Sequence, residues 1–121
     1  MISKNLRKAG ITSDMAGILY LVDYLNNNAT PTGLARLAVR SPQTITSRLD
    51  VMINKGLLTR TKDEQKQNMY RISMTDKGKR VFRKSIEIRR YHKIMSILTE
   101  SERQSLTQIL EKLRAQARKL K

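Results

Sequence analysis

Apolar residues recur at helical spacing along most of the chain. Thr12 is a candidate capping residue. After it, apolar side chains recur from Met15 to Leu25 at intervals of three and four residues. This pattern predicts a helix that ends at the three asparagines 26–28. Residues 1–11 carry too few apolar positions for a secure helix, and Gly10 is a stop signal. We expect them to form a short arm or a stub helix.

Two further helices begin in the same way. Thr30-Pro31 and Ser41-Pro42 each place a capping residue before a proline at the first helical position, where the missing N–H costs no hydrogen bond. The second of these helices has apolar residues such as Ile45 and Leu49 on one face and ends at Lys55-Gly56. Two capped helices joined by a short turn predict a helix-turn-helix.

After the third helix, the spacing of the apolar residues changes from that of a helix to that of an extended strand. Residues 57–61 and 69–74 have the character of short strands, and the polar segment 62–68 joins them, which predicts a two-stranded hairpin with a long loop. Thr75-Asp76 then begins a long helix, and a capping box at Thr99 begins the last one. The expected fold is mainly α with a two-stranded β-wing, in the order three helices, two strands and two helices.

The chain is short and strongly cationic. Its 121 residues carry 25 Lys+Arg and 10 Asp+Glu, a formal charge of +15, and one domain is expected at this length. Residues 77–93 hold the densest run of cations. Such a surface attracts polyanions, and nucleic acid is the polyanion that a cytosolic protein meets most often. The alternative is a solvated helix face that only keeps the protein soluble.

The composition also excludes several classes of site. The sequence has no Cys and a single His, His92, so thiolate metal sites and thiol sensors are excluded, and a His-based metal site or catalytic triad is disfavoured. No nucleophile–base pair or phosphate-cradling Gly loop is evident. No apolar run reaches the roughly 18 residues of a membrane span, and no secretion signal opens the chain. We expect a soluble, cytoplasmic protein that is not an enzyme and holds no metal or cofactor.

A series of short motifs, none specific alone, follows in order over residues 11–121. In chain order they are Ile11-Thr12, Leu34-Ala35, Ser41 to Thr46, Leu49-Asp50, Lys55 to Leu58, Arg60, Met74-Thr75, Lys77-Gly78, and Leu98-Thr99 with Glu102. At these spacings the sequence resembles the MarR family of winged helix-turn-helix transcriptional regulators. The resemblance implies a winged helix-turn-helix DNA-binding lobe at 12–76 and C-terminal dimerisation helices at 77–121, preceded by the arm or stub helix at 1–11.

The sequence departs from the family pattern at two places. Family members commonly carry an Asp-x-Arg trio before the second wing strand, where this chain has Lys66-Gln67-Asn68. The Arg that usually enters the minor groove is therefore missing, and Lys62 and Lys66 are the cations expected to replace it. The N-terminal helix that contributes to the family dimer is also short here, so a dimer is expected to depend more on residues 80–121.

Base contacts are expected from the start of the recognition helix, because the N-terminal turns of the second helix of a helix-turn-helix point into the major groove. Gln43 can read adenine, and Arg48 can read guanine or grip a phosphate. The Pro42 ring and the Thr44 methyl can touch a thymine methyl. The expected set is Pro42, Gln43, Thr44, Thr46, Ser47 and Arg48. For Thr44 and Thr46, simple solvent exposure is the alternative.

Contacts to the DNA backbone are expected from the cations and helix N-termini around that helix. The set is Thr30, Thr32, Arg40, Ser41, Lys55, Arg60, Lys62, Lys66, Gln67, Asn68 and Arg71. Arg60 and Arg71 lie on predicted strands, where packing or ion pairing is the alternative. Asp63 and Glu64 would repel phosphate, so either they shape the wing turn or the wing tip lies away from DNA.

The resemblance further implies a homodimer. Apolar residues of the last two helices would form its seam, namely Tyr91, Ile94, Leu98, Leu106, Ile109, Leu110, Leu113 and Leu120. A two-fold axis would then place two recognition helices about one DNA turn apart. Similar regulators often bind small aromatic or anionic effectors. Candidate lining residues are Tyr20, Tyr24, Arg83 and Tyr91, each of which has an ordinary core or surface role as its alternative.

The expected function is that of a sequence-specific regulator of transcription that binds double-stranded DNA. It would act as a homodimeric repressor on a pseudo-palindromic operator, either released by a small-molecule effector of unknown identity or constitutive. The alternative is a sequence-tolerant architectural DNA-binding protein, for which the charge of +15 would suffice. A protein adaptor is disfavoured, because its recognition helix would expose apolar side chains rather than the amide of Gln43 and its hydroxyl neighbours.

Overall fold

The structure, a computed structural model, describes residues 2–65 and 69–120. Over these residues it contains six helices, one 3-10 turn and one two-stranded antiparallel sheet, which confirms the predicted mainly α fold with a β-wing. In chain order the elements are α1 (Ile2–Lys8), α2 (Ser13–Leu25), α3 (Pro31–Ala38), α4 (Pro42–Asn54), β1 (Leu58–Lys62), β2 (Tyr70–Met74), α5 (Asp76–Met95) and α6 (Glu100–Lys119).

The helices begin at side-chain caps. The Thr12 and Thr30 hydroxyls accept hydrogen bonds from the backbone N–H groups three residues later, at 3.2 and 3.0 Å. Ser41 does the same for Thr44 at 3.2 Å. Each cap satisfies one of the N–H groups that a helix start leaves without an intrahelical partner. Helices α2, α3 and α4 therefore start where the Ser and Thr positions indicate.

Three helices end in the same backbone motif. At the ends of α1, α3 and α4 the chain bonds back over five residues, from Ile11 N to Leu6 O at 3.1 Å in the first case. This motif requires a residue with positive φ just before the donor, usually glycine. Gly10 and Gly56 fill that position with φ of +89° and +76°, whereas α3 places Val39 there with φ of +54°. The turn of the helix-turn-helix thus holds a β-branched residue in the left-handed region.

Residues 1–88 and 89–121 form two compact units. The first unit has one apolar core, to which α1 contributes Leu6 and α2 contributes Leu19, both fully buried. The other large core side chains that are fully or nearly fully buried are Val22, Leu34, Ile45, Leu49, Met52, Leu57, Leu58 and Ile72. Leu6 was not among the predicted core residues, and its burial makes the N-terminal segment a helix docked on the lobe.

The wing is tied to the lobe at its base. Strands β1 and β2 pair from Leu58↔Met74 to Lys62↔Tyr70, and Ile72 N donates to Ala29 O at 2.9 Å. Where β2 passes into α5, Gly78 lies against the backbone of Leu57, and a Cβ atom on Gly78 would stand 2.0 Å from the Leu57 carbonyl oxygen. The close approach of α5 to the start of β1 therefore requires glycine.

The second unit consists of the end of α5 and the whole of α6. No residue of α6 is buried. Its capping box is formed, because Glu102 Oε1 accepts from Thr99 N at 2.9 Å and Thr99 Oγ1 accepts from Glu102 N at 3.1 Å. Hydrogen bonding of the Glu102 carboxyl to the backbone N–H of Thr99, and to its side chain, lowers the pKa of that carboxyl. In the described part of the chain, no helix is both long and apolar enough to cross a membrane.

Candidate nucleic-acid interface

Helix α4 presents a nearly uncharged polar face opposite the core. Ile45, Leu49 and Met52 are buried on its inner side. At about 100° per residue, Gln43 and Ser47 lie about 160–200° around the helix from Ile45, and both are exposed. Amide and hydroxyl groups are therefore displayed on the first two turns, as base recognition in a major groove requires. Pro42 and Thr46 are exposed beside them.

The N-terminal cap of α4 engages two of the predicted contact residues. Ser41 Oγ accepts from Thr44 N, and the Ser41 hydroxyl donates to Thr44 Oγ1 at 2.9 Å. Thr44 is half-buried, whereas Ser41 is exposed. Thr44 is therefore not simply exposed to solvent, the alternative considered for it, because its hydroxyl takes part in the cap. Base contact by Thr44 stays a prediction that concerns its methyl group.

Arg48 lies on the flank of α4 and not on its outward face. It follows Ile45 by three residues, or about 300° around the helix, which points it toward α2. There its guanidinium is 3.0 Å from an Asp14 carboxylate oxygen, and that of Arg40 is 3.6 Å from the other oxygen of the same carboxylate. No pattern along the sequence indicated this role for Asp14. Two of the predicted DNA-contacting cations are therefore held by one acid.

The wing base is linked to the recognition helix through Arg60. Its guanidinium lies 3.0 Å from the Asp50 carboxylate of α4 and 5.5 Å from the centre of the Tyr70 ring. Of the two alternatives for Arg60, the structure shows the ion pair. A contact from Arg60 to phosphate stays a prediction and would compete with Asp50. Tyr70 stands opposite Lys62 in the hairpin, and Lys62 is exposed.

The two acidic residues at the wing tip, Asp63 and Glu64, differ in their contacts. Asp63 accepts a hydrogen bond from Gln65 N at 2.9 Å and forms an ion pair with Arg71 at 3.5 Å, so it shapes the wing turn. Glu64 is exposed. The predicted contacts at Lys66, Gln67 and Asn68 lie outside the described residues.

The remaining predicted phosphate contacts are spread along the lobe. Thr30 caps α3 and is half-buried, whereas Thr32 in the first turn is exposed. The Lys55 carbonyl oxygen at the end of α4 accepts from Lys77 Nζ at 2.9 Å, while the Lys55 side chain is exposed. Lys77 thus caps a helix C-terminus, where a cation is favoured by the dipole. This use of the densest cationic segment was not foreseen from its charge.

The predicted dimer seam is exposed in the single chain. Tyr91 and Ile94 on α5 are 57% and 67% accessible. On α6, Ile109, Leu110 and Leu113 are 55–62% accessible, and Leu106 is half-buried, as is Leu98 just before the helix. Leu120 is 76% accessible, and Ile97, between α5 and α6, is 83% accessible. So many exposed apolar side chains within one short segment are unusual on a soluble monomer.

Within residues 2–65 and 69–120, no three His, Asp or Glu side chains lie together in a way that would hold a metal ion. The effector candidates Tyr20 and Tyr24 are exposed on α2, at 52% and 70%. His92 is half-buried and stacks edge-on against Tyr91 at 5.7 Å between ring centres.

A helix-turn-helix followed at once by a two-stranded wing and a long helix defines the winged helix-turn-helix class. Comparison with solved structures agrees with this class. The organohalide-sensing transcriptional regulator RdhR in its 2,4-dichlorophenol-bound form is 30% identical over 95% of this chain and 69% of its own, with a TM-score of 0.70. The chain belongs to the MarR family of winged helix-turn-helix transcriptional regulators, and the family resemblance read from the sequence is confirmed.

Two DNA complexes share the fold at lower identity. A mutant of Escherichia coli MarR bound to operator DNA is 18% identical over 93% of this chain and 81% of its own, with a TM-score of 0.70. The DNA complex of Staphylococcus aureus MepR is 21% identical over 96% and 85%, with a TM-score of 0.66. A scan against protein-family models and a search of the curated proteins found no match.

Proposed function

We propose that this chain is a sequence-specific, double-stranded-DNA-binding repressor that acts as a homodimer on a pseudo-palindromic operator. The observation that carries the proposal is the outward face of α4. A binder of phosphates alone needs cations there, whereas the exposed side chains Gln43, Thr46 and Ser47 are neutral hydrogen-bonding groups. Such groups recognise base edges. The surrounding cations supply the sequence-independent share of the affinity.

Base contacts are assigned to Pro42, Gln43, Thr46 and Ser47, and to the methyl group of Thr44. Arg48, which lies on the flank of the helix, is assigned to a phosphate beside the groove, as are Arg40 and Ser41. The described wing contributes Lys62, with Arg60 and Arg71 available only when they leave Asp50 and Asp63. Phosphate contacts of this kind fix the register of the protein on the duplex but carry no sequence information.

The exposed stripe on α6 supports the homodimer. Ile109, Leu110 and Leu113 recur at helical spacing and are each more than half accessible. Their burial against a second copy would remove apolar area from water, at roughly 25 cal/mol per Å². A two-fold dimer would also bring twice the +15 charge of a single chain to the operator. We expect Leu113→Lys to shift the molecular mass in sedimentation from the dimer to the 14.0 kDa chain, and the charge-matched Gln108→Lys to leave it unchanged.

A wild-type protein that sediments as a 14.0 kDa species at micromolar concentration would contradict the dimer.

Regulation by a small molecule is the finer part of the proposal. It is supported by the relative RdhR, whose structure holds 2,4-dichlorophenol. The experiment is a screen of substituted phenols for release of the protein from DNA. Constitutive binding is the outcome if no such compound weakens the complex.

Competition binding tests the repressor proposal itself. The upstream region of the protein's own gene and a random duplex of equal length compete for the protein at about 0.15 M salt. A specific binder prefers its site by about 10³-fold or more. A ratio near one, with tight binding to both duplexes, would instead indicate the sequence-tolerant architectural protein that the charge of +15 alone favours.

A further inference from the structure

Asp14 pairs with two arginines from which the sequence predicts contacts to DNA. Its carboxylate bridges Arg40, just before the cap of α4, and Arg48, on the second turn of that helix. These two cations come from different segments of the helix-turn-helix, and they converge on one side of the recognition helix. A cavity of about 150 Å³ lies among the three side chains. Phosphates that flank the major groove are normally held by cations in such places.

The charge around Asp14 is unbalanced. Asp14 pairs with two arginines, Arg40 and Arg48, and Arg7 of α1 lines a second depression together with Asp14 and Arg48. Without the carboxylate, the charge of the Arg40, Asp14 and Arg48 cluster would rise from +1 to +2. The guanidinium groups would then repel one another and turn toward any nearby anion.

The ion pairs are also exchangeable. The Arg48 and Arg40 side chains are 44% and 51% accessible, and that of Asp14 is 40% accessible. Exposed pairs of this kind contribute little net stability, and salt screens them. A phosphate can therefore replace Asp14 as the partner of either arginine without disturbing the core of the lobe.

We propose that Asp14 is a specificity-determining residue that competes with DNA phosphate for Arg40 and Arg48. This inference rests on the proposed function, because it assumes that α4 enters the major groove. A chain of charge +15 binds any duplex through its phosphates. By holding two cations, Asp14 lowers this sequence-independent affinity. The neutral contacts of Gln43 and Ser47 then supply a larger share of the total binding free energy. The ratio of the affinity for the operator to that for random duplex therefore rises.

The magnitude follows from counterion release. Each additional phosphate contact steepens the slope of log K against log salt by about 0.9, which at 0.15 M salt strengthens binding about fivefold. Asp14→Asn frees one or two arginines. We therefore expect random duplex to bind about fivefold to thirtyfold more tightly, with a slope steeper by about one to two. On the operator the cations already contact phosphate, so its affinity rises less and the specificity ratio falls.

Asp23→Asn is the matched control. It removes the same charge from the same helix, nine residues or about 13 Å further along, and none of the ion pairs of the described residues involves Asp23. We expect this variant to change the slope on random duplex by much less than Asp14→Asn. The triple variant that combines Asp14→Asn with Arg40→Gln and Arg48→Gln should lose the gain, because the released cations are then absent.

Fluorescence anisotropy on a labelled random duplex, over about 0.05–0.3 M salt, measures the effect, with circular dichroism to verify folding of each variant. Tighter binding and a steeper slope for Asp14→Asn alone support the proposal. Equal curves for Asp14→Asn and Asp23→Asn overturn it. Weaker binding of folded Asp14→Asn also overturns it, because Asp14 would then orient Arg48 for contact. A wild type that binds operator and random duplex equally refutes the proposed function, while the random-duplex comparison still decides the role of Asp14.

Discussion

The junction between the wing and the long helix depends on the absence of one side chain. In the structure, a Cβ atom on Gly78 would stand 2.0 Å from the Leu57 carbonyl oxygen and 3.0 Å from its carbon. Carbon–oxygen contacts ordinarily lie near about 3.3 Å, so Gly78→Ala requires a backbone displacement of more than about 1 Å. The Leu57 carbonyl cannot move freely, because it accepts from Thr75 N at 3.1 Å.

The expected cost is that of overpacking in a rigid place. Such insertions destabilise by about 1–3 kcal/mol, and alanine regains part of this through its higher helix propensity, at most about 1 kcal/mol. We expect a net loss of about 2 kcal/mol. For a domain of this size that lowers the unfolding midpoint by roughly 6–12 °C.

Thermal and urea unfolding followed by circular dichroism measure this loss, and Gly17→Ala is the matched control. Gly17 also lies inside a helix, but a Cβ atom there meets nothing within 4 Å. The control should therefore raise stability, by up to about 1 kcal/mol. If Gly78→Ala were as stable as the wild type, the close approach of α5 to Leu57 would be refuted.

Three further outcomes are expected. Gln43→Ala should relax base preference at one operator position by about 1–3 kcal/mol, whereas Lys62→Ala should weaken operator and random duplex alike; equal losses from both changes would refute these roles. Val39→Gly should stabilise the lobe by up to about 1 kcal/mol in urea unfolding, because a non-glycine residue in the left-handed region costs about 1–2 kcal/mol. Part of this gain is offset, because glycine loses more conformational entropy on folding than valine. A destabilised variant would contradict the backbone strain assigned to Val39. The lowered pKa of Glu102 means that its contribution to folding is present above pH 4.5 and is lost as the pH falls through the folded pKa. Helicity of the wild type should then decrease in acid more than that of Glu102→Gln, and identical acid titrations would contradict the capping box at Thr99.

The sequence predicted local structure well where the signal is local. Thr12, Thr30 and Ser41 form their caps within three residues, so spacing alone reveals them. Leu6 was missed because the segment before Gly10 is too short and too sparse in apolar residues for their spacing to predict a helix. The available signal was Gly10 between Leu6 and Ile11, since an apolar pair across a helix-ending glycine commonly makes contact.

Ion pairs were harder to predict, because they depend on how separate elements meet. Asp14 and Arg48 are 34 positions apart, and no pattern along the chain joins them before α2 and α4 are packed. Arg60 and Asp50 are similarly brought together only by the turn into the wing. The charge count located the cations, but it did not show which of them are already held by acids.

The central claim is that this chain reads DNA sequence as a two-fold dimer. Selection of bound duplexes from a random pool, at about 0.15 M salt, tests it most directly. We expect enrichment of a pseudo-palindrome whose half-site centres are about 10 base pairs apart, and loss of one enriched position in each half-site when Gln43→Ala is used. Recovery of unselected sequences by a protein that still binds DNA would contradict it.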